Sequence, residues 1–275
     1  MERKDSKSRI RRKKVWHGIS WLYAMVIYLF LYIPVFVMII YSFNDSRNNM
    51  VWQGFTTKYY VRLFSDSGLW EIFGNTLLIA VVSTLFATVV GTLGAVGYKK
   101  ARFKGKGLIT YSIYFPIVVP EIVLAVATLM LFSMSDMKLS MGTMILGNIT
   151  LLLPYIFITV NSRLAGMDPS IEEASLDLGA NRFHTFINIT FPTVLPGVIS
   201  GAFMAFSLAL ENLVISSFLA DASTTNLSMR VYSMVKKGVS PEINALSTLI
   251  FLVFLIMMAV YGIINFVRNK IKLYS

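Results

Sequence analysis

The apolar residues of this chain fall in long uninterrupted runs, not in alternation with polar ones. Six runs stand out, at roughly 20–42, 73–97, 108–134, 143–162, 194–220 and 244–267, each near the roughly 20 helical residues that cross about 30 Å of hydrocarbon. Backbone groups in lipid have no water to bond, so each run must satisfy its own N–H and C=O groups, which makes it helical. A membrane barrel would show strands of alternating polarity, and these runs do not alternate. The pattern predicts an all-α membrane protein with six transmembrane helices and both termini on one side.

The polar intervals set the orientation. Basic residues crowd the stretch Arg3 to Lys14, the interval Lys99 to Lys106, the interval with Arg163 and Arg182, and the end with Arg268, Lys270 and Lys272. The opposite intervals hold fewer: Arg47, Lys58 and Arg62, then Lys138, then Arg230, Lys236 and Lys237. Lysine and arginine accumulate on the cytoplasmic side, so both termini are predicted there. Trp16, Trp21, Trp52 and Tyr98 suit the interfacial belts.

Composition agrees. Of 275 residues 56% are apolar and 14% charged, too apolar for a soluble domain to cover its own surface. The net charge of +11 would suit nucleic acid, but the basic residues sit beside the apolar runs, which points to membrane lipids and no nucleic acid. The basic N-terminal stretch is a topology signal that also meets anionic lipid. The first run, about 21–43, is too long for a signal-peptide core and no small-x-small site follows, so it is read as an uncleaved first span. With no cysteine, disulfides and thiolate metal sites are excluded and the redox compartment stays open.

One cytoplasmic interval, between the fourth and fifth runs, is about thirty residues long and patterned. Asp168-Pro169 reads as a helix N-cap followed by proline at the first helical position, with Ser170 and Glu173 as an alternative capping box. Gly179 ends that short helix in a left-handed turn. Phe183, Phe186 and Ile187 lie at helical spacing in a second short helix, and Pro192 and Pro196 turn the chain into the fifth span. The residues alone leave two readings: a platform that docks a cytoplasmic partner, or two helices lying in the membrane interface.

Glu173-Ala174-Ser175, three residues, Gly179, nine residues, then Ile189-x-Phe191-Pro192 resembles the EAA loop of ABC importer permeases, with Ser175 for an alanine and Phe191 for a leucine. The segments Tyr41–Asp45, Trp52–Tyr59, Ala174–Ala180, Val231–Lys236 and Gly238–Ala245 are similar to the spermidine/putrescine permeases of the binding-protein-dependent type I class. The resemblance implies a type I (MetI-like) bundle with a cytoplasmic coupling helix. It implies that Glu173, Ala174, Ser175, Gly179, Ile189 and Pro192 couple the chain to an ATPase, and that ATP and Mg are bound by that partner and not here. The implied partners are a second permease subunit, an ATPase dimer and an extracellular polyamine-binding protein, and the implied mechanism is alternating access. Domains are expected as a basic tail at 1–19, a first span with its outer loop at 20–70, a core at 71–267 with the EAA loop at 168–196, and a tail at 268–275.

Carboxylates inside spans are costly and point to function. Glu121 follows Pro120 in the third run, where proline frees carbonyls. Glu211 lies beside Asn212 in the fifth, at the place of an acidic residue in the family's pattern. Tyr114 offers an aromatic face upstream. Spaced carboxylates and aromatic faces suit a flexible polycation, and sites that must release should be weak. No phosphate-loop motif occurs, so the chain is not expected to hydrolyse ATP. There is no HExxH or GxSxG, and the only histidines are His17 and His184, which leaves no catalytic or metal residue to name. The alternatives are a related permease for thiamine, ferric iron or sulfate, an intramembrane enzyme built on Glu121 and Glu211, or a pure scaffold.

Overall fold

The computed structural model describes residues 2–46, 51–101, 104–238 and 240–274, with side chains described except at 2–19, 254, 257, 258, 261 and from 264 onward. The basic stretch Arg3–Lys14, Trp16 and the C-terminal Arg268, Lys270 and Lys272 therefore have their side chains outside the described residues. The described residues contain no strand, only an isolated bridge between Asn44 and Phe55, and the all-α expectation holds. In chain order the helices are α1 (Glu2–Tyr41), α2 (Lys58–Ser65), α3 (Ser67–Lys100), α4 (Lys106–Val118), α5 (Glu121–Met134) and α6 (Met141–Ala165). There follow α7 (Pro169–Asp177), α8 (Arg182–Thr185), a π turn (Phe186–Thr190), α9 (Phe191–Glu211), α10 (Val214–Leu219), α11 (Leu227–Lys236) and α12 (Pro241–Tyr274).

The chain divides into two compact units. The first comprises Met1–Ser67 and Met234–Ser275. Here α12 packs on both α1 and α2. Between α1 and α2, the Asn44 side chain donates to the Val51 carbonyl and accepts from the Gln53 amide. The Phe43 ring stacks on Phe55 and lies 5.0 Å from Tyr60. The second unit, Gly68–Ser233, is built on α6. One core joins α3, α6 and α9 through Ala87, Ile156, Val160, Val194 and Ala205. A second joins α5, α6 and α10 through Leu124, Met144, Ile215 and Leu219.

Helices α6 and α9 make the most extensive contact in this unit, and small residues allow it. A Cβ on Gly201 would lie 3.3 Å from the Ile156 Cα and 3.4 Å from the Thr159 Cβ, so the two backbones approach as closely as a hydrogen side chain permits. Small residues at four-residue spacing are how helices pack where lipid removes the hydrophobic drive for association.

Four helices among the described residues are long and apolar enough to cross a membrane: Ser20–Tyr41 of α1, α3, α6, and the run Arg182–Glu211. The expected third span, 108–134, is two helices bent by 111°. Val119 is extended (φ −75°, ψ 137°), the conformation that the following Pro120 imposes on its neighbour. The expected fifth span, 194–220, is also interrupted, at Asn212 (φ −63°, ψ 107°). The sixth, 244–267, lies in α12, of which Pro241–Val253 is the apolar part described.

The interval before the fifth span also differs from expectation. Phe183, Phe186 and Ile187 do not form a separate second helix. Residues 182–211 run on as one continuous helical path, and Pro192 and Pro196 lie within it. A proline inside a helix loses a bond to the fourth preceding carbonyl and clashes with it. The wider π turn just before, in which the Phe191 N–H donates to the Phe186 carbonyl, makes room for Pro192 without breaking the path.

Candidate coupling surface and pathway site

Helix α7 carries Glu173, Ala174 and Ser175 of the motif. The Asp168 carboxylate accepts from the Ser170 N–H at 3.0 Å and Pro169 occupies the first helical position. The cap is thus Asp168, and this bond holds its carboxyl below the usual range. At the other end the Gly179 N–H donates to the Leu176 carbonyl and the Ala180 N–H to the Ser175 carbonyl. That bond pair, with Gly179 at φ +88°, is a Schellman turn. No atom lies within 4 Å of a Cβ built on Gly179, so its backbone angle, not crowding, calls for glycine.

The motif residues divide by environment. Glu173 and Ala174 are exposed, Ile189 is half-buried in the π turn, and Pro192 is exposed in the first turn of α9. The Ser175 hydroxyl bonds that of Thr185 at 3.0 Å and ties α7 to α8. Around Glu173 the platform is apolar and open: Ile171 and Leu176 are exposed, Leu178 is 90% exposed and Phe183 72%. An exposed apolar patch of this kind suits either a docking surface or a face lying in the membrane interface.

What holds the platform was not marked in the sequence. Glu172, not Glu173, is its anchor. Its carboxylate pairs with the Lys100 ammonium at 3.2 Å and accepts from the Thr190 hydroxyl. Burial pushes the Glu172 carboxyl up, but the bonds to Thr190 and Lys100 and the charges of Lys100 and Lys99 outweigh it and hold it below its usual range. Lys99 reaches the other way and donates to the Leu164 carbonyl at 2.5 Å, at the C-terminal end of α6. Two neighbouring lysines at the end of α3 thus bind α6 and α7, and Glu172 binds the root of α9. Both lysines had entered the sequence reading only as orientation signals.

Of the four residues expected along a pathway, Glu121 and Asn212 meet, at the two breaks. The Asn212 side-chain amide donates to the Glu121 carboxylate at 2.6 Å, joining positions 91 residues apart. Glu121 opens α5, where the positive end of the helix favours a negative group. Asn212 is buried and its side-chain carbonyl accepts from the Ser216 N–H in the first turn of α10. Carbonyls released by the break are satisfied by Asn226, just ahead of α11, and by Ser228 in its first turn. Asn226 donates to the Asn212 carbonyl at 3.2 Å and Ser228 to the Leu210 carbonyl at 3.1 Å. Glu211 is exposed and Tyr114 is 38% exposed on α4, and neither joins the Glu121–Asn212 contact. Asn226 was missed although an asparagine ahead of a helix is a cap signal; its Oδ1 accepts from the Met229 N–H. Among the described residues no group of acidic or histidine side chains is arranged to hold a metal.

Residues 87–272 match the model of the family described as binding-protein-dependent transport system inner membrane component. The spermidine/putrescine transport system permease protein PotC of Escherichia coli (strain K12) is 38% identical over 250 residues, covering 91% of this chain and 94% of the relative. The putrescine transport system permease protein PotI of the same strain is 37% identical over 247 residues, covering 87% and 85%. Among solved structures, a chain of a bacterial ABC transporter involved in import of the acidic polysaccharide alginate superposes with a TM-score of 0.71 at 18% identity, covering 90% of this chain and 94% of that one. A family match over most of the length, a fold shared with ABC importers and sustained identity to two permeases agree: the chain belongs to the binding-protein-dependent transport system inner membrane components.

Proposed function

We propose that this chain is one transmembrane subunit of an ABC importer for polyamines, spermidine or putrescine. The observation that carries the substrate class is the 38% identity to a spermidine/putrescine permease along nearly the whole chain. The fold alone does not choose a cargo, since the alginate transporter shares it. The site is compatible in its chemistry. A primary ammonium needs a carboxylate, and Glu121 lies at the contact of two interrupted helices, where the freed Leu210 and Asn212 carbonyls are held by Ser228 and Asn226. Glu211, exposed one residue before Asn212, supplies a second carboxylate for a second ammonium of the same chain-like cation. Tyr114 extends this path with an aromatic face.

In this reading both termini are cytoplasmic and six spans cross the membrane, α4 with α5 forming one of them and α12 the last. The apolar platform on α7 and α8 docks a subunit of a dimeric ATPase, which binds ATP and Mg. Glu173, exposed on that platform, faces the ATPase, while Ala174, Ser175, Gly179, Ile189 and Pro192 shape the platform and its junction with α9. A second permease subunit completes the path, and an extracellular polyamine-binding protein delivers substrate. ATP binding closes the ATPase dimer and draws the platforms together, the spans open outward, and hydrolysis resets them.

The test is uptake of radiolabelled spermidine and putrescine by cells lacking this gene, with and without its restoration. Restored, energy-dependent uptake that disappears with Glu173→Ala supports substrate and coupling together. Uptake of both polyamines that is indifferent to the gene overturns the substrate assignment.

A further inference from the structure

Asn212 makes three bonds at once, and each leads to a different part of the molecule. Its amide nitrogen holds the Glu121 carboxylate, its amide oxygen holds the start of α10, and its main-chain carbonyl is held by Asn226. Asn226 is itself 2% exposed and caps α11. The grip on this end of α11 is reinforced twice. The Ser228 hydroxyl donates to the Leu210 carbonyl, and the Leu227 N–H donates to the Thr76 hydroxyl of α3 at 2.8 Å. The segment between α10 and α11 therefore does not run free over the surface. It returns to the interruption of α9 and is fastened there by side chains whose acceptors exist only because the helix is interrupted.

We propose that Asn226, with Ser228, is a positioning residue that latches the outer side of the pathway to its carboxylate through Asn212. The inference rests on the transport reading above. With the latch closed, the Asn212 amide holds one oxygen of Glu121, so an arriving ammonium competes with it for that oxygen. Lifting the start of α11 removes the bonds to the Leu210 and Asn212 carbonyls, frees the Asn212 backbone to turn, and releases Glu121 to bind a cation. Reclosure returns the Asn212 amide to one Glu121 oxygen and so weakens the hold on the ammonium, which then leaves more readily. Opening to the outside and exposure of the carboxylate are then one event, and the site is weak whenever the outer side is shut.

The two functions of Asn226 separate cleanly by substitution. Asn226→Ser and Asn226→Asp both keep a side-chain oxygen to cap α11, and both lose the amide donor to Asn212. The native chain has no cysteine, so Thr76→Cys, which weakens the Leu227 bond equally in every background, reads whether the buried floor beneath Leu227 is covered when the partner subunits carry no cysteine. Thr76 is 3% exposed. The assembled transporter in right-side-out vesicles is treated from the outer side with a membrane-impermeant thiol reagent, without nucleotide and without polyamine. The latch predicts labelling about tenfold faster with either Asn226 variant than with Asn226, the shift that follows from loss of one hydrogen bond of ordinary strength in a two-state equilibrium. It also predicts that polyamine uptake per ATP hydrolysed falls while the complex still assembles. Equal labelling rates in all three backgrounds overturn the latch. Because labelling needs no substrate, it decides the latch even where the native complex proves to carry a different solute, a result that would overturn only the polyamine reading.

Discussion

Gly179 offers a perturbation whose outcome depends on which force requires glycine there. Its φ of +88° costs an ordinary L-residue roughly 1–2 kcal/mol, and asparagine, which enters this region far more readily, a fraction of that. No atom lies within 4 Å of an added Cβ, so side-chain size adds nothing within this chain. A cost of roughly 1–2 kcal/mol corresponds to about a 5–30-fold loss in the ratio of ordered to disordered turn. The turn sets where the exposed Leu178 and the start of α8 stand, so the loss is expected in the coupling of uptake to ATP hydrolysis. The expected order of function is Gly179, then Asn, then Ala, then Val, the β-branched residue being worst at positive φ. The assay is spermidine uptake per ATP hydrolysed in the reconstituted complex, with assembly checked by co-purification. If Ala works better than Asn, size governs. The glycine would then be required by close approach of the docked subunit, and the backbone argument would be refuted.

Four further outcomes are expected. Lys100→Glu alone should lower uptake per ATP several-fold, and the swap Lys100→Glu with Glu172→Lys should recover part of it; the ion pair is half-exposed, so thermal stability of the complex should move by no more than about 1 kcal/mol. Because the Glu172 carboxyl lies below its usual range, its contribution is full above the ordinary value of 4.5 and is lost only as pH falls through the lowered one, so the difference in coupling between Glu172 and Glu172→Gln should stay constant from about pH 5.5 to 8. Gly201→Val should destabilise the complex by about 1–3 kcal/mol through overpacking against α6, read as a lower melting temperature and less assembled complex. Glu121→Gln or Glu211→Gln should raise the KM for spermidine while the complex assembles normally; unchanged KM in both would remove the carboxylates from the pathway.

The extent to which all this was legible in the sequence differs from element to element. The apolar runs marked the long helices, four of which are long and apolar enough to cross a membrane among the described residues, and Asp168-Pro169 and Gly179 marked α7 because caps and left-handed turns are local chemistry. Pro120 announced the first interruption, although a 111° bend is a tertiary outcome and has no local signature. The interruption at Asn212 carries neither proline nor glycine. It is held by Asn226 and Ser228, which lie 14 and 18 residues along the chain from their acceptors, and pattern reading does not reach that far. Glu172 was passed over because the motif singles out Glu173, yet adjacent helical residues point about 100° apart, so one faces solvent while its neighbour meets Lys100. The π turn was hidden for a similar reason: Pro192 reads as a helix boundary, and only a widened turn before it lets the helix continue.

That continuation has a mechanical consequence. The platform and the pathway interruption sit at opposite ends of one element. The π turn at the start of α9 receives the Glu172 carboxylate through Thr190, and Asn212 follows directly on its last residue. The 21 residues of α9 span about 32 Å at 1.5 Å per residue, about the thickness of the hydrocarbon core. Packed without intervening side chain against α6 at Gly201, α9 has little room to bend between its ends. In the proposed importer, a displacement of α7 would therefore be carried to Asn212 as motion of a rod, and absorbed at the interrupted segment. Had the second short helix existed as a separate element with a turn at Pro192, the same displacement would have been absorbed at that joint, at the far end of α9 from Asn212. The π turn thus does more than accommodate a proline: it keeps the platform and the pathway on one lever.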